Sequence, residues 1–191
     1  GKIIRGTIGM KRVALELGGV GPTFVHSDAD LPAAAKACAR NAMLLAGQSC
    51  ISVQNVFVHK PVYETFVAAV QDEVGLLALG DPMDMQTEVG TLIDEQAAVR
   101  VEGMIGRAVE AGATLLRGGS RRGAQLDPAI LTNVRSDMSV MCDEIFGPAM
   151  SLQPYEDIEP LFKSISDSPF GLQCGIFTNS LALALSAIKG V

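Results

Sequence analysis

Residues 55–77, NVFVHKPVYETFVAAVQDEVGLL, set two kinds of patterning side by side. Asn55 to His59 is short and rich in β-branched and aromatic residues, the composition of a strand. From Pro61 to about Leu77, Tyr63, Phe66, Val67 and Val70 recur at helical spacing. A strand followed at once by an amphipathic helix is the unit from which α/β proteins are built. The alternation extends in both directions. Val13 to Leu17 reads as a strand ending at Gly18-Gly19, and Thr23 to His26 as another. Asp30 suits the N-cap of a helix from Leu31 to about Ala46, with Pro32 in its first turn. Asp94 to Ala111 reads as a long helix leading into a strand at Thr114–Arg117, and a polar loop runs to Asp127. Strands follow at 129–131, 149–153 and 173–177, with helices at 157–166 and 181–189. The order predicts an α/β fold, a mainly parallel sheet flanked by helices.

Composition narrows the function. The chain has 191 residues, enough for one domain with a sizeable core. Its net charge of −6 and the lack of a clustered basic face argue against a nucleic-acid partner. No apolar run reaches the 18 or so residues of a membrane span, and Gly1–Arg5 lacks a signal-peptide core. Mean hydropathy is +0.30, which points to surface meant to be covered by something else, or to a very large core. The four cysteines, Cys38, Cys50, Cys142 and Cys174, form no C-x-x-C pair and no disulfide scaffold. With only His26 and His59 as histidines, a metal centre is not expected, and reduced thiols suggest a cytoplasmic protein.

Three islands can carry chemistry. Cys50 follows Gly47-Gln48-Ser49 at the end of a helical pattern; such a thiol is either reactive or simply buried. Cys38, Cys142 and Cys174 lie within apolar patterns and are expected to be buried and inert. Glu16 interrupts an apolar run before two glycines, either as a half-exposed strand position or as a site carboxylate at a strand's carboxyl end, where parallel sheets bind ligands. Asp143-Glu144-Ile145-Phe146-Gly147-Pro148 is either a charged turn over a core Phe or a loop presenting a carboxylate and a ring. A carboxylate can accept from a ribose diol, and a ring can press on a flat one.

The segments Leu15-Glu16-Leu17-Gly18-Gly19, Asp28-Ala29-Asp30-Leu31, Gly47-Gln48-Ser49-Cys50 and Glu144-Ile145-Phe146-Gly147-Pro148 come in the order and with the spacing of the aldehyde dehydrogenase superfamily, which this chain resembles. Residues 168–173 (SPFGLQ) and 175–178 (GIFT) continue the likeness, which covers essentially the whole chain. The resemblance implies that Cys50 is the nucleophile and Glu16 the general base. It implies that Glu144 and Phe146 hold the ribose and position the nicotinamide of NAD or NADP. Leu17 falls where the backbone often touches the cofactor, and Arg100 on a basic cofactor contact. The implied reaction is oxidation of a small aldehyde to an acid through a thiohemiacetal and a thioester. A CoA-acylating variant, a thiol hydrolase using His26 or His59, and a non-catalytic assembly or binding remnant are the competing readings.

Departures are few. Val20-Gly21-Pro22 follows the glycines where a polar residue, a small residue and Pro are usual, Leu45 stands where Asn is common, and Asp143 replaces Glu. Against the family's length, residues 1–17 correspond to the end of a cofactor-binding domain and 18–191 to the thiol-bearing catalytic domain, truncated at both ends. Such a chain would be a proteolytic fragment, a partial gene product or an engineered truncation. The resemblance then implies that the first 17 residues are rearranged, that the chain alone lacks dehydrogenase turnover, and that the full-length protein is a homo-oligomer.

Overall fold

The computed structural model describes residues 1–191. A short helix, α1 (Lys2–Thr7), precedes an irregular stretch, and β1 (Thr23–Val25) opens the sheet. α2 (Leu31–Met43) is capped by Asp30, whose side chain accepts from the Ala33 N–H at 3.1 Å. β2 (Asn55–His59) leads to α3 (Tyr63–Gly75); α4 (Glu95–Glu110), capped by Asp94, leads to β3 (Thr114–Arg117). The loop expected before Asp127 holds a small hairpin, β4 (Arg121–Arg122) with β5 (Gln125–Leu126). β6 (Ala129–Thr132), a one-turn helix α5 (Ser139–Cys142), β7 (Ala149–Tyr155), α6 (Ile158–Ser166), β8 (Gly175–Phe177) and α7 (Leu181–Gly190) complete the chain.

The six-stranded sheet has the order β3-β6-β7-β2-β1-β8 and is parallel except for β3. Alternation along each strand divides the core. Val25, Val56, Val58, Met150 and Leu152 face α2 and α3, packing with Phe66 and Val70. On the other face, Phe24, Phe57 and Tyr155 meet Phe162 of α6 and Ala187 of α7, while Ala129 and Leu131 meet Val101 and Ile105 of α4. No helix is long and apolar enough to cross a membrane.

Two expectations are corrected. Val13 to Leu17 is not a strand: no strand of the sheet lies alongside it, and Val13, Leu15 and Leu17 are exposed. Without a hydrogen-bonding neighbour, an apolar run has no ladder to join. Cys142 and Cys174 are exposed rather than buried, because one ends the short helix α5 and the other lies in the coil before β8. Cys38 alone of the three is buried, and burial pushes its thiol up to about 12.

Candidate active site

The turn that delivers Cys50 begins where α2 stops. Leu45 and Ala46 both sit at φ 54° and Gly47 at φ 70°, three successive left-handed residues that reverse the chain. For a residue with a Cβ, that conformation costs roughly 1–2 kcal/mol. Gln48 braces the turn: its Nε2 donates to Leu45 O at 2.9 Å and its Oε1 accepts from the Ile93 N–H at 2.8 Å. Ser52 Oγ donates to Ala42 O at 3.2 Å, tying the far side back to α2. Cys50 emerges half-buried, five residues ahead of β2.

The Cys50 side lines a cleft of about 250 Å³, shared with Gly19, Gly21, Phe170, Leu172 and Cys174. Gln173 Nε2 donates to Ile51 O at 2.8 Å and seats the segment before β8 against the thiol turn. The Cys50 N–H makes no hydrogen bond within the chain, and the Ile51 N–H reaches only Ser49 Oγ, at 3.4 Å. Two backbone donors beside a thiol are what a developing oxyanion on an attacked carbonyl needs. Cys174, in the same cleft, is less suited to attack: desolvation pushes its thiol up to about 11. Cys142 is also raised, by desolvation and then by Asp143.

The loop from α5 to β7 carries Glu144 and Phe146. Phe146 is held at φ 48°, an unfavourable conformation for an aromatic residue, and the residue is 41% exposed. Glu144 Oε1 accepts from the Gly19 N–H at 3.0 Å, and Oε2 has no partner within the chain. Gly19 is also the close approach to the thiol turn, since a Cβ there would lie 2.8 Å from Cys50 O. The backbone just after Glu16-Leu17-Gly18 thus passes between the Glu144 carboxylate and the Cys50 turn. Glu16 and Leu17 themselves are exposed on the irregular stretch and make no side-chain hydrogen bond. Arg100, on α4, donates from Nη2 to Ile145 O at 2.5 Å and from Nη1 to Met104 Sδ at 3.2 Å, so it supports the Glu144 loop from below.

The edge of the sheet on which these residues meet differs from the carboxyl edge weighed for Glu16. Gly19, Cys50, Glu144 and Leu172 precede β1, β2, β7 and β8, so they gather at the amino ends of the strands. His26, His59 and Tyr155 occupy the opposite edge. The imidazoles stack with centroids 4.4 Å apart, and His26 Nδ1 bonds the Tyr155 hydroxyl at 2.9 Å. β2 separates them from Cys50 by roughly 16 Å of strand, which removes the histidine-assisted thiol reading. Sequence reasoning passed over Gln54 and Asn55, buried amides whose hydrogen bonds reach the Glu144 loop. A polar pair opening an otherwise apolar strand was the available signal.

The aldehyde dehydrogenase family model matches residues 1–191. The 3-sulfolactaldehyde dehydrogenase of Priestia aryabhattai is 43% identical over the whole chain, which spans 40% of that protein. The structure of an NAD-dependent aldehyde dehydrogenase from Sinorhizobium meliloti superposes with a TM-score of 0.92 at 34% identity, covering 100% of this chain and 38% of that one. The glyceraldehyde-3-phosphate dehydrogenase GapN of Methanocaldococcus jannaschii, solved with NADP, gives 0.91 at 34% identity over 99% of this chain and 41% of that one. The chain spans about 40% of the length of the curated relatives it matches. With the match unbroken from first residue to last, this chain belongs to the aldehyde dehydrogenase family.

Proposed function

We propose that this chain is the thiol-bearing part of an enzyme that oxidises a small aldehyde to a carboxylic acid, with Cys50 as nucleophile and Glu16 as general base. The observation that carries the reading is the Gly19 backbone, which touches the Cys50 turn and the Glu144 carboxylate at once. Residues 18–191 form the catalytic unit in this reading, and 1–17 the end of a cofactor-binding one.

The chemistry follows from the side chains. The Cys50 thiolate adds to the aldehyde carbonyl, and the oxygen, now carrying negative charge, is met by the free N–H of Cys50. A nicotinamide, when bound, accepts the hydride that the resulting thiohemiacetal must lose. The thioester left on Cys50 is then open to water. Glu16 takes a proton from that water, a role typically worth about 10²–10⁴-fold, and the acid leaves with the thiol restored.

The residues present suit NAD or NADP. Glu144 keeps one oxygen without a partner, as an acceptor for a ribose diol, and Phe146 offers an exposed ring face on the same loop. Leu17 and Arg100 complete the proposed cofactor side, Leu17 through its backbone and Arg100 through the loop it holds. The exposed Leu44, Leu45 and Ile51 around the thiol form an apolar surface that the remainder of the enzyme would cover. A homo-oligomeric, cytoplasmic enzyme is part of the same reading.

The test is a dehydrogenase assay on the longest native polypeptide containing these residues. NAD and NADP are offered with a panel of small aldehydes that includes 3-sulfolactaldehyde, for which the Priestia relative is named. Cys50→Ala should abolish nicotinamide reduction. Glu16→Gln should release one burst of reduced cofactor per site and then stall. Undiminished turnover in Cys50→Ala would end the proposal.

A further inference from the structure

The loop carrying Glu144 and Phe146 is fastened by side chains. Gln54, 4% exposed, donates from Nε2 to Val140 O at 3.2 Å and to Asp143 O at 2.8 Å, while its Oε1 accepts from the Ile145 N–H at 2.8 Å. Asn55, 2% exposed, donates from Nδ2 to Met141 O at 2.9 Å, and its Oδ1 is fixed by Ser151 Oγ at 2.9 Å. One amide therefore satisfies backbone groups on both sides of Glu144. A buried amide is unfavourable unless its hydrogen bonds are met. Here they are met only while residues 140–145 keep this path, so the loop's conformation and the amide's satisfaction are a single condition.

Gln54 also lies four residues after Cys50, on the segment that joins the thiol turn to β2. We infer that Gln54 is a positioning residue that holds Glu144 and Phe146 at a fixed place relative to Cys50. It acts on capture of the nicotinamide dinucleotide rather than on attack by the thiol. The inference rests on the dehydrogenase reading and adds a determinant of cofactor affinity to it. A residue serving stability alone would lower every function together, whereas Gln54 separates two of them.

The experiment again uses the longest native polypeptide containing residues 1–191. Gln54→Met removes all three hydrogen bonds at similar volume. Gln54→Glu keeps the acceptor for the Ile145 N–H and loses the donors. NAD and NADP binding is measured by calorimetry, KM and kcat by nicotinamide absorbance, and Cys50 alkylation by timed iodoacetamide labelling. Gln54→Met should bind the dinucleotide about tenfold more weakly, and Gln54→Glu at least as weakly, because its carboxylate would face the carbonyl oxygens of Val140 and Asp143. The rise should be in cofactor KM, with Cys50 alkylation within about twofold of the parent. Cofactor affinity within twofold of the parent overturns the inference, as does a proportional fall in alkylation and affinity. If neither folds, Gln54→Asn, which keeps the amide but shortens its reach to the loop, decides by the same criteria. A parent protein that binds neither dinucleotide overturns the dehydrogenase reading itself, a result distinct from an unaffected variant of a binding parent.

Discussion

Replacing Gly47 by alanine asks whether the Cys50 turn is locked by backbone contact. At φ 70° an alanine loses roughly 1–2 kcal/mol to its own conformation. The added Cβ would lie 2.0 Å from Gly147 O, 2.3 Å from its carbonyl carbon and 2.8 Å from Pro148 N. All three are main-chain atoms, so no rotamer relieves the overlap. Non-bonded heavy atoms rest near 3.5–4.0 Å, and one turn must retreat by more than about 1 Å. Overpacking of this kind costs about 1–3 kcal/mol, giving roughly 2–5 kcal/mol in all. At about 2–4 °C per kcal/mol for a chain of this size, a central loss of about 3 kcal/mol lowers Tm by about 6–12 °C. Two other glycines separate the causes. Gly123 has φ 59° and no atom within 4 Å of an added Cβ, so Gly123→Ala carries only the conformational part. Gly106, inside α4 with open space around it, should gain about 0.5–1 kcal/mol as alanine. Thermal melts followed by circular dichroism should rank them Gly106→Ala, parent, Gly123→Ala, Gly47→Ala, from most to least stable. Gly47→Ala melting no lower than Gly123→Ala would refute the locked turn.

Burial, and then the charge of His26 stacked beside it, hold His59 below its ordinary 6.5. The unfolded chain therefore takes up a proton first, so this part of the stability is complete above about pH 6.5 and is lost as pH falls through the lower folded value. His59→Phe should flatten the fall of Tm between pH 7 and 5, and an unchanged slope would count against it. At Asp28, desolvation pulls the carboxyl upward, but hydrogen bonds from Thr178 Oγ1 and the Asn179 N–H outweigh it and hold the group below 3.8. Its contribution is present above about pH 4 and disappears as pH drops through the folded value, so Asp28→Asn should lose less Tm than the parent between pH 4 and 2. Phe66→Ala, at a fully buried position of the α2–α3 core, should cost about 3–5 kcal/mol by urea unfolding; a loss under 1 kcal/mol would mean that this core is misassigned. Iodoacetamide at pH 7.5 with peptide mapping should find Cys50 ahead of Cys38, Cys142 and Cys174, whose thiols are all raised. First labelling of Cys174 would contradict that order.

What was legible in the sequence was what local pattern controls. Asn55–His59 and Thr114–Arg117 are strands as their residue types predict, and Asp30 and Asp94 cap the helices they precede. Val13–Leu17 misled because apolar alternation records a wish for burial, whereas a strand also needs a partner for its N–H and C=O groups. The edge on which the site lies was hidden for a related reason. Glycines after Glu16 suggested a strand end, but the segment is the approach to β1. Cys142 and Cys174 looked like core because their neighbours are apolar, and exposure at a helix end or a coil leaves no mark on composition. For Gln54 the sequence offers only a polar pair ahead of an apolar strand; its partners lie 86 to 91 residues away, and only the fold brings them within 3.2 Å.

Sheet order explains why residues so distant in sequence can form one site. β7, β2, β1 and β8 are consecutive neighbours and all run the same way. In a parallel sheet every chain segment that leads into a strand arrives at the same edge. The leads of these four strands are therefore stacked about 4.8 Å apart, with no loop needing to reach across. They carry, in that order, Glu144, Cys50, Gly19 and Leu172. The Gly19 N–H bond to Glu144 must then pass over the thiol turn, which is why a side chain at Gly19 would meet Cys50 O. The unfavourable φ values of Leu45, Ala46 and Phe146 all fall on these leads, and the strands behind them keep ordinary ladders. The sheet stabilises the frame, and of the four non-glycine residues at positive φ only Asn133, after β6, lies away from these leads. Glycine at Leu45 or Ala46 takes up φ 54° without the Cβ penalty, so either substitution should leave both the sheet and the thiol turn in place.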